Sequence, residues 1–359
     1  MRVLVVCPVH DPRDARIAER EIGALLDAGH SVTQVGPFAS YGAQPRDEVR
    51  ALDVPRSQGR NRAAALRKTR RVLAREAPEH DIILLHSPDA VVAAVGIGHP
   101  GMVWDVHEDT AAALAMRPWL PGPLVGPVGA AVRWLERRSE GTHRIVLAEH
   151  AYASRFSEPH PVVLNTPRVP DRVLPSGRGR AVYLGRVTHA RGGAELIGLG
   201  RDLSRHDVTL DIIGNADPDV SALLEAARAQ GWVEWRGFMA NAQALDAIEG
   251  ATVGVSLLHD QANYRHSMPT KLLEYLARGI PFVSTPLPLA VDLAERSGAG
   301  IIVPFGDTRA ATDAVLTLHS DGDRRHGMAA AGRAWVKEEA NWTVDGPRFV
   351  DILSDWAGG

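Results

Sequence analysis

Residues 266–285 read HSMPTKLLEYLARGIPFVST, an order that predicts a loop, a helix, a turn and a buried strand. Pro269 suits the first helical turn, where the N–H group that proline lacks would have no intrahelical partner. The leucines that follow supply an apolar face, and Arg278 and Gly279 end the helix. Residues 280–285 continue as a strand, so the pattern indicates an α/β fold in which this helix leads directly into a sheet.

The start of this helix has the chemistry of an anion-binding site. Thr270 and Lys271 offer backbone N–H groups, a hydroxyl and an ammonium at the end where the helix dipole favours negative charge. Glu274 lies one turn further along on the same side, within reach of a ribose attached to that anion. A diphosphate linked to a nucleoside meets both requirements.

The pattern S-x-P-x-K-x-x-E-Y-x-A-x-G-x-P in this stretch resembles the donor-site helix of GT-B glycosyltransferases, in the large retaining group called family 4. Members commonly carry two glutamates here, of which the second binds the donor ribose. Glu274 matches the second glutamate, and His266 stands in place of the first. A branch of the family with the S-x-P-x-K form also lacks the first acid. The resemblance implies donor binding by Met268, Thr270 and Lys271. It also places His266 on the donor sugar, where the exchange of an acid for a histidine leaves the identity of the sugar open.

Composition sets the class of protein. The chain has 359 residues, 45% hydrophobic and 23% charged, with a formal net charge of -3, which is enough for two domains with full cores. Near-neutral charge gives no electrostatic case for nucleic acid. The single cysteine, Cys7, excludes a disulfide within the chain, and no Cys/His cluster predicts a zinc site. The start of the chain does not resemble a signal peptide and no apolar run could span a bilayer, so we expect a cytoplasmic protein.

The first half of the chain alternates apolar strands with helical segments such as 15–28 and 61–76. This alternation predicts a parallel sheet with helices on both faces. The predicted strands are 2–7, 31–36, 82–85, 102–106, 145–148 and 162–164.

Residues 166–179, with three prolines, two glycines and no apolar periodicity, predict a linker between domains 1–165 and 180–337. The second domain repeats the alternation, with helices predicted at 194–203 and 220–230. The resemblance implies the GT-B architecture: two doubly wound Rossmann-like domains that face each other across a cleft, with a final helix in 338–359 returning to the first domain. The predicted strands of the second domain are 181–184, 208–213, 233–235, 253–257, 282–284 and 301–303.

Two arginines follow the first strand of the second domain. Gly185 and Arg186 match a G-R pair of the family, and Arg191 takes the place of a family lysine. The resemblance implies that both arginines act in catalysis by contacting the diphosphate of the leaving nucleotide, beside Gly185. A guanidinium keeps its charge and clasps two phosphate oxygens, so this exchange preserves the charge and changes the geometry. The alternative is a pair of surface arginines flanking a loop.

Glycine-containing turns are the candidates for recognition of the base. Gly237 and Phe238 match the base-binding turn of the family, and Gly214 takes a similar position near the nucleotide. Either turn is equally well explained as a tight connection without a ligand.

The other half of the predicted site follows two strands of the first domain. His107 comes directly after the predicted strand 102–106, where family members place a histidine close to the donor sugar and the attacking hydroxyl. It would hydrogen-bond a sugar hydroxyl or assist proton transfer. Glu108 and Asp109 would bind acceptor, or they are simply acids in the first turn of a helix.

The loop after the first strand contains no glycine, so the G-x-G-x-x-G signature of nicotinamide and flavin cofactors is absent there. We place His10 and Arg13 of this loop on the acceptor side, and Arg13 and Arg16 would meet an acceptor or the phosphates. The slightly favoured alternative is a solvated helix start capped by Asp14.

These patterns predict a retaining, metal-independent glycosyltransferase without a cofactor. It would move a sugar from a nucleotide diphosphate, UDP by frequency within the family, to a hydroxyl of a glycan, a lipid-linked acceptor or a secondary metabolite, in bacterial cell-surface or secondary-metabolite glycosylation. The D-x-D sequence at Asp217–Asp219 is better explained as a helix start than as a metal site. The alternatives are a GT-B nucleotide-sugar 2-epimerase and a non-catalytic nucleotide-binding or partner subunit.

An apolar segment at 114–135, with Trp119, Trp134 and flanking arginines, would rest on a membrane or grip a hydrophobic acceptor. We prefer a helix packed on the sheet, because the prolines are expected to break any sustained amphipathic helix. Membrane contact is therefore expected to be peripheral at most.

Overall fold

The computed structural model describes residues 1–115 and 121–358, which form two compact units. Unit 1 comprises Met1–Asn165 and Thr343–Gly359, and unit 2 comprises Thr166–Trp342. Residues 166–179, predicted as a linker, and the first five residues of the 338–359 segment thus group with unit 2.

Unit 1 contains a six-stranded parallel sheet in the order β3-β2-β1-β4-β5-β6. The register places Val3 opposite both Val32 and Ile82, so β1 lies in the middle of the sheet. Residues Val3 to Val6 are completely buried, as expected for a parallel strand covered by helices on both faces. The strands are β1 (Arg2–Val6), β2 (Ser31–Gly36), β3 (Val49–Asp53), β4 (Ile82–Leu85), β5 (Met102–Val106) and β6 (Arg144–Leu147).

Helices connect these strands, and their caps follow the local sequence. Ser87, for example, accepts a hydrogen bond from the Ala90 N–H and precedes Pro88 at the first helical position. A π-helical turn, Ala15–Glu21, leads into the first α-helix. The helices of unit 1 are α1 (Ile22–Asp27), α2 (Phe38–Tyr41), α3 (Arg62–Glu76), α4 (Pro88–Ala94), α5 (Thr110–Ala115) and α6 (Gly122–Glu140), and α15 (Trp342–Gly358) begins at the unit boundary.

Three sequence predictions for unit 1 are wrong. The edge strand β3 was not predicted, because its alternation includes charged residues and resembles a loop. Residues 162–164 do not form a strand, and only Val162 pairs with Leu147 in an isolated bridge. Helix α6 runs through Pro127, so the prolines at 123 and 127 do not break it.

Unit 2 repeats the topology with a parallel sheet in the order β12-β11-β10-β7-β8-β9. In both sheets the first strand lies beside the fourth, so successive strands are added on one side of the first strand and then on the other. Open α/β sheets bind ligands at this change in strand order, which lies between β1 and β4 and between β7 and β10. The strands are β7 (Arg180–Leu184), β8 (Thr209–Ile213), β9 (Glu234–Gly237), β10 (Val253–Ser256), β11 (Phe282–Ser284) and β12 (Gly300–Ile302). The helices are α7 (Gly193–Leu203), α8 (Pro218–Ala229), α9 (Asn241–Ile248), α10 (Ala262–Arg265), α11 (Thr270–Ala277), α12 (Pro288–Ser297), α13 (Thr308–Ser320) and α14 (Gly322–Glu339).

Each sheet has apolar clusters packed on its faces. In unit 2, one cluster joins the strands to α7, α8 and α13, and another joins them to α9, α11 and α12. Of the helices in the described part of the chain, none combines the length and the hydropathy that crossing a bilayer requires.

Candidate active site

Helix α11 is buried all round. Pro269 occupies its N-cap position, and every residue from Lys271 to Ala277 is buried, including the charged side chains of Lys271 and Glu274. The apolar face predicted from the leucines is therefore only part of the buried surface. Ionisable groups at such depth need a charged or polar partner to offset the loss of water.

An aromatic contact helps to hold α11 against the sheet. The ring of Tyr275 lies on Gly254 of β10, where an added Cβ would come within 2.2 Å of it. The Tyr275 hydroxyl accepts the Leu184 N–H at 2.8 Å and donates to the Val255 carbonyl at 3.3 Å. Tyr275 thereby bridges β7 and β10, the neighbouring strands between which the strand order changes sides.

Two cations converge beside Gly185, directly after β7. A Cβ on Gly185 would lie 3.6 Å from Lys271 Nζ and 3.9 Å from an Arg191 guanidinium nitrogen. Lys271 Nζ stands 3.7 Å from the centroid of the Tyr183 ring. Nζ is buried and has no hydrogen-bond partner among the described residues. Such a group is costly unless a ligand completes it.

Burial lowers the pKa of Lys271 well below its ordinary value, and the charge of Arg191 lowers it further, while Glu274 opposes the shift. The ammonium of Lys271 and the guanidinium of Arg191 thus lie close together, and the carboxylate of Glu274 offsets only part of their charge. An anion placed beside Gly185 would relieve both the desolvation of the ammonium and its repulsion by the guanidinium.

Glycines allow three loops to pack together at the carboxyl ends of β7, β8 and β9. A Cβ on Gly214, which has φ of +143°, would be 2.1 Å from the Gly185 carbonyl oxygen. The Gly214 N–H donates to the Gly237 carbonyl at 2.7 Å. Gly185, Gly214 and Gly237 therefore lie in one place, and only glycine fits at 214. Phe238, which follows them, is half exposed.

Arg186 contacts a different partner from Lys271 and Arg191. Its guanidinium is mostly exposed and pairs with Asp217, with Nε donating to Oδ1 at 2.8 Å. Asp217 holds the N-cap position of α8, so the helix start predicted there is confirmed, although its side chain makes no cap hydrogen bond. His266 lies exposed after α10. The leaving-group role of Arg186 and the donor role of His266 stay predictions.

Unit 1 contains a small, partly open pocket where the carboxyl ends of β4 and β5 meet. The rings of His10 and His107, which both line it, have their centroids 5.0 Å apart. Glu108 and Thr110 also contribute to its wall. The loop after β1 thus reaches the same pocket as the segment after β5.

The wall of this pocket rests on a buried ion-pair network around Asp105. Arg16 Nη2 donates to Asp105 Oδ1 at 2.7 Å and Arg16 Nε to Oδ2 at 3.0 Å. The Nδ1 atoms of His107 and His86 lie 3.0 and 3.2 Å from Oδ2. Asp14 caps the helix start as expected, yet Arg16 is buried, so neither of the roles considered for Arg16, contact with ligand or a solvated surface, is correct.

The network divides its groups into charged and neutral ones. Burial opposes ionisation of Asp105, but Arg16 and the two histidines hold its pKa well below the ordinary value. Burial also opposes charge on His107, but Asp105, aided by Glu108, raises its pKa to about 9. Burial and the charge of Asp105 raise the pKa of Glu21 well above its ordinary range.

Comparison with known proteins identifies the class of enzyme. Residues 178–321 match the family model described as "Glycosyl transferases group 1". A phosphatidyl-myo-inositol mannosyltransferase of Mycobacterium leprae is 24% identical over 297 residues, covering 76% of this chain and 73% of that protein. The protein is a GT-B glycosyltransferase.

Solved structures share the fold of this glycosyltransferase over nearly its whole length. Sucrose-phosphate synthase from Thermosynechococcus elongatus matches with a TM-score of 0.77 and 14% identity, covering 100% of both chains. Anabaena Alr3699/HepE in complex with UDP and glucose matches with a TM-score of 0.71 and 14% identity, covering 99% of both chains. The predicted class, α/β with two doubly wound Rossmann-like domains of GT-B type, is confirmed.

His86, Asp105 and His107 offer ligand atoms that all lie within 4.8 Å of one another, close enough for a metal ion. Both oxygens of Asp105, however, accept from the guanidinium of Arg16, and its Oδ2 also receives the two Nδ1–H groups. A divalent cation would have to displace these donors and lie beside a fixed positive charge. We therefore do not assign this trio of the glycosyltransferase as a metal site.

Three acceptor-side candidates have protein partners or remain in solvent. Arg13 donates to Asp11 at 3.0 and 2.8 Å. Asp109 accepts two hydrogen bonds from Arg133, both at 2.8 Å, which ties the start of α5 to α6. Glu108 is exposed at the pocket rim. Their roles toward an acceptor stay predictions.

Sequence reasoning missed the residues that support the predicted ones. Asp105 was not predicted, although a carboxylate inside an apolar strand, two positions before a histidine, is a usable signal. Glu21 and His86 gave no local signal. Tyr183 lies under Lys271 and Tyr275 lies on Gly254, and neither position follows from spacing.

Helix α6 presents large apolar side chains to solvent, with Trp134 66% and Leu124 49% exposed. Trp119 and the rest of residues 116–120, which formed part of the predicted membrane- or acceptor-contacting segment, lie outside the described residues. The described residues of α6 do not distinguish contact with a membrane from contact with an acceptor.

Proposed function

We propose that this glycosyltransferase transfers a sugar with retention of anomeric configuration, from a nucleotide-diphosphate donor to a hydroxyl acceptor, and that it requires no metal ion. The observation that carries the proposal is the buried, unpaired Nζ of Lys271 beside Arg191 at Gly185. The family 4 resemblance of residues 267–281 supports the retaining mechanism.

The chemistry follows from where charge develops. Cleavage of the bond between the anomeric carbon and phosphate leaves negative charge on the diphosphate and positive charge on the sugar. Lys271 and Arg191 are fixed before the reaction and would stabilise that charge, each by roughly 3 kcal/mol when well placed. In this proposal Glu274 accepts hydrogen bonds from the ribose, and no divalent cation is needed to neutralise the leaving group.

UDP is the proposed nucleotide, because the solved relative HepE binds UDP and glucose on the same fold. In the proposed mechanism the leaving phosphate oxygen takes the proton of the attacking hydroxyl. His107, in the pocket of unit 1, hydrogen-bonds a hydroxyl of the sugar or acceptor. The acceptor is proposed as a hydroxyl-bearing glycan, lipid-linked molecule or secondary metabolite.

The first experiment is a panel of nucleotide sugars scored by thermal shift, followed by release of free nucleotide with and without candidate acceptors, in buffer containing EDTA. Release that depends on acceptor and resists EDTA supports the proposal, and the anomeric configuration of the product tests retention. Conversion of the donor alone would identify an epimerase. A thermal shift without turnover would identify a binding subunit.

Glu274→Ala tests the ribose assignment. We expect UDP affinity to fall about tenfold, because a buried hydrogen bond to a charged acceptor is lost. Glu225→Ala, which removes an exposed glutamate of α8 paired with Arg228, is the matched control and should leave affinity unchanged. Equal affinity of the Glu274 variant and the wild type would reject the assignment.

A further inference from the structure

Asp105 is the point at which the buried charges of unit 1 meet. It receives two hydrogen bonds from Arg16, one from His107 and one from His86, although it has only two oxygens. It is 1% exposed, so water contributes little. An aspartate saturated in this way is held in a single rotamer and remains ionised.

His86 and His107 both contact Asp105 and line the pocket, but His86 is completely buried, whereas the side chain of His107 is 13% exposed. Its Nδ1 lies 3.0 Å from Asp105 Oδ2, and it lines the pocket beside His10. An ionised carboxylate only accepts hydrogen bonds, so Nδ1 must carry a proton. The second nitrogen, Nε2, makes no hydrogen bond to any residue that the structure describes, which leaves it for a ligand in the pocket.

We propose that Asp105 is a positioning residue for the transfer reaction, which fixes the ring of His107 through Nδ1 and keeps it cationic so that Nε2 donates a hydrogen bond to a substrate oxygen. This inference rests on the proposed function for the identity of that oxygen. It assigns Asp105 no contact with the substrate.

The rest of the network explains why Asp105 acts on His107 and not on the other histidines. His86 is fully buried, and burial lowers its pKa, so it stays neutral while donating through Nδ1. Its Nε2 lies 3.4 Å from Glu21 Oε2, and Oε1 of the same carboxyl lies 2.9 Å from Arg16 Nε. Burial and the charge of Asp105 raise the pKa of Glu21, while Arg16 opposes the rise. The negative charge of Asp105 is therefore shared between Arg16 and His107.

Carboxylates facing His107 favour its charge, whereas burial and the guanidinium of Arg16 oppose it. From the loop after β1, His10 has its pKa lowered by burial and by the charge of His107, so it remains neutral. From the same loop, burial opposes ionisation of Asp14, but His10 and His107 hold its pKa below the ordinary value. Glu108, the next residue in the chain, adds a favourable charge. Positive charge is thus concentrated on His107.

The test measures the protonation of His107 in the whole protein by two-bond ¹H–¹⁵N spectra of ¹⁵N-histidine-labelled samples, with His107 assigned from the missing signal in His107→Gln. In the wild type we expect both nitrogens to be protonated at neutral pH and to titrate at about 9. In Asp105→Asn the midpoint should fall to the ordinary value of 6.5 or below, a change of at least about 2 pH units.

Glu76→Gln is the matched control, because Glu76 is also a buried carboxylate of unit 1, paired with Arg50 and Arg75. It should leave the His107 midpoint in place. If Asp105→Asn leaves that midpoint within about half a pH unit of the wild type, the proposal is overturned. A wild-type His107 that is neutral at neutral pH overturns it without any variant.

Kinetics then separate positioning from general damage to the fold. In Asp105→Asn we expect kcat to fall at least tenfold with little change in KM, and the alkaline limit of kcat to move from about 9 toward 6.5. An unchanged pH profile would contradict the proposal. Should the wild type transfer no sugar, the proposed function fails, while the titration of His107 still decides whether Asp105 controls its protonation.

Discussion

Both units of this enzyme bury charge near the carboxyl ends of their parallel strands and treat it in opposite ways. In unit 1, Asp105 is satisfied by four donors from three side chains of the same unit. In unit 2, Lys271 is also buried, yet its Nζ has no hydrogen-bond partner among the described residues. The first arrangement stabilises a shape, and the second has the properties expected of a place where a ligand supplies the missing partner.

Stability should respond in opposite directions when each charge is removed. Asp105→Ala should lower the free energy of unfolding by about 3 kcal/mol, because Arg16 is left without its bidentate partner. Lys271→Met should raise it by about 1 kcal/mol, because an apolar side chain of similar length needs no partner. Chemical denaturation of both variants at neutral pH measures the difference.

The pH dependence of these two effects follows from the direction of each pKa shift. The pKa of Asp105 is depressed, so its contribution is present above the unfolded value of 3.8 and disappears at lower pH. The pKa of Lys271 is also depressed, so its cost exists below the unfolded value of 10.5 and disappears above it. If the Lys271→Met variant is less stable than the wild type at neutral pH, the predicted opposite effects of the two substitutions on stability are wrong.

Nucleotide affinity should depend on the unsatisfied cation. We expect Lys271→Met to weaken UDP binding about 100-fold, because a charge-assisted hydrogen bond in a buried site is lost. Lys337→Met is the control, since Lys337 is an exposed lysine on α14 of the same unit. Titration calorimetry of both variants measures the effect, and equal losses would show that position 271 is not special.

Binding of UDP should also be linked to proton uptake. In the free protein burial depresses the pKa of Lys271, whereas a bound diphosphate favours the charged ammonium. We therefore expect uptake of up to about one proton per UDP, and affinity that falls as pH rises. Calorimetry in buffers of different ionisation enthalpy measures the uptake, and a slope that Lys271→Met does not reduce would assign the proton to another group.

The smallest effect is expected at Glu21. Burial and the charge of Asp105 disfavour ionisation of this carboxyl, and Glu21→Gln keeps a neutral group of the same shape beside Arg16. This variant should therefore change the free energy of unfolding by less than about 1 kcal/mol and leave the His107 titration unaltered. Denaturation and the histidine spectra described above are the measurements. A fall in the His107 midpoint would show that Glu21 is ionised and shares the role given to Asp105.

Strands and motifs were predictable where a short stretch of chain contains the whole signal. Continuous apolar runs marked β1 and β4, and residues 267–281 marked α11 and its anion-binding start. Strand β3 escaped prediction because an edge strand needs only partial burial, which leaves no continuous apolar run. Helix α6 escaped because its tertiary setting tolerates Pro127.

Site residues were predictable only where they belong to a family motif. Lys271 and Arg191 were named from motif positions, and the structure places them together. Arg16 and Asp105 are 89 positions apart, so no local pattern announces their pairing. Arg186 belongs to a recognisable motif, but its side chain lies toward Asp217, a choice set by neighbouring charge and not by spacing.

The contact between Tyr275 and Gly254 makes donor binding sensitive to a residue that touches no ligand. Any side chain at 254 would have to displace the aromatic ring, and with it the helix that carries Lys271 and Glu274, the proposed ribose-binding residue. A screen confined to ligand-facing positions would pass over this glycine, yet one added methyl group there would disable the enzyme as thoroughly as loss of the lysine itself.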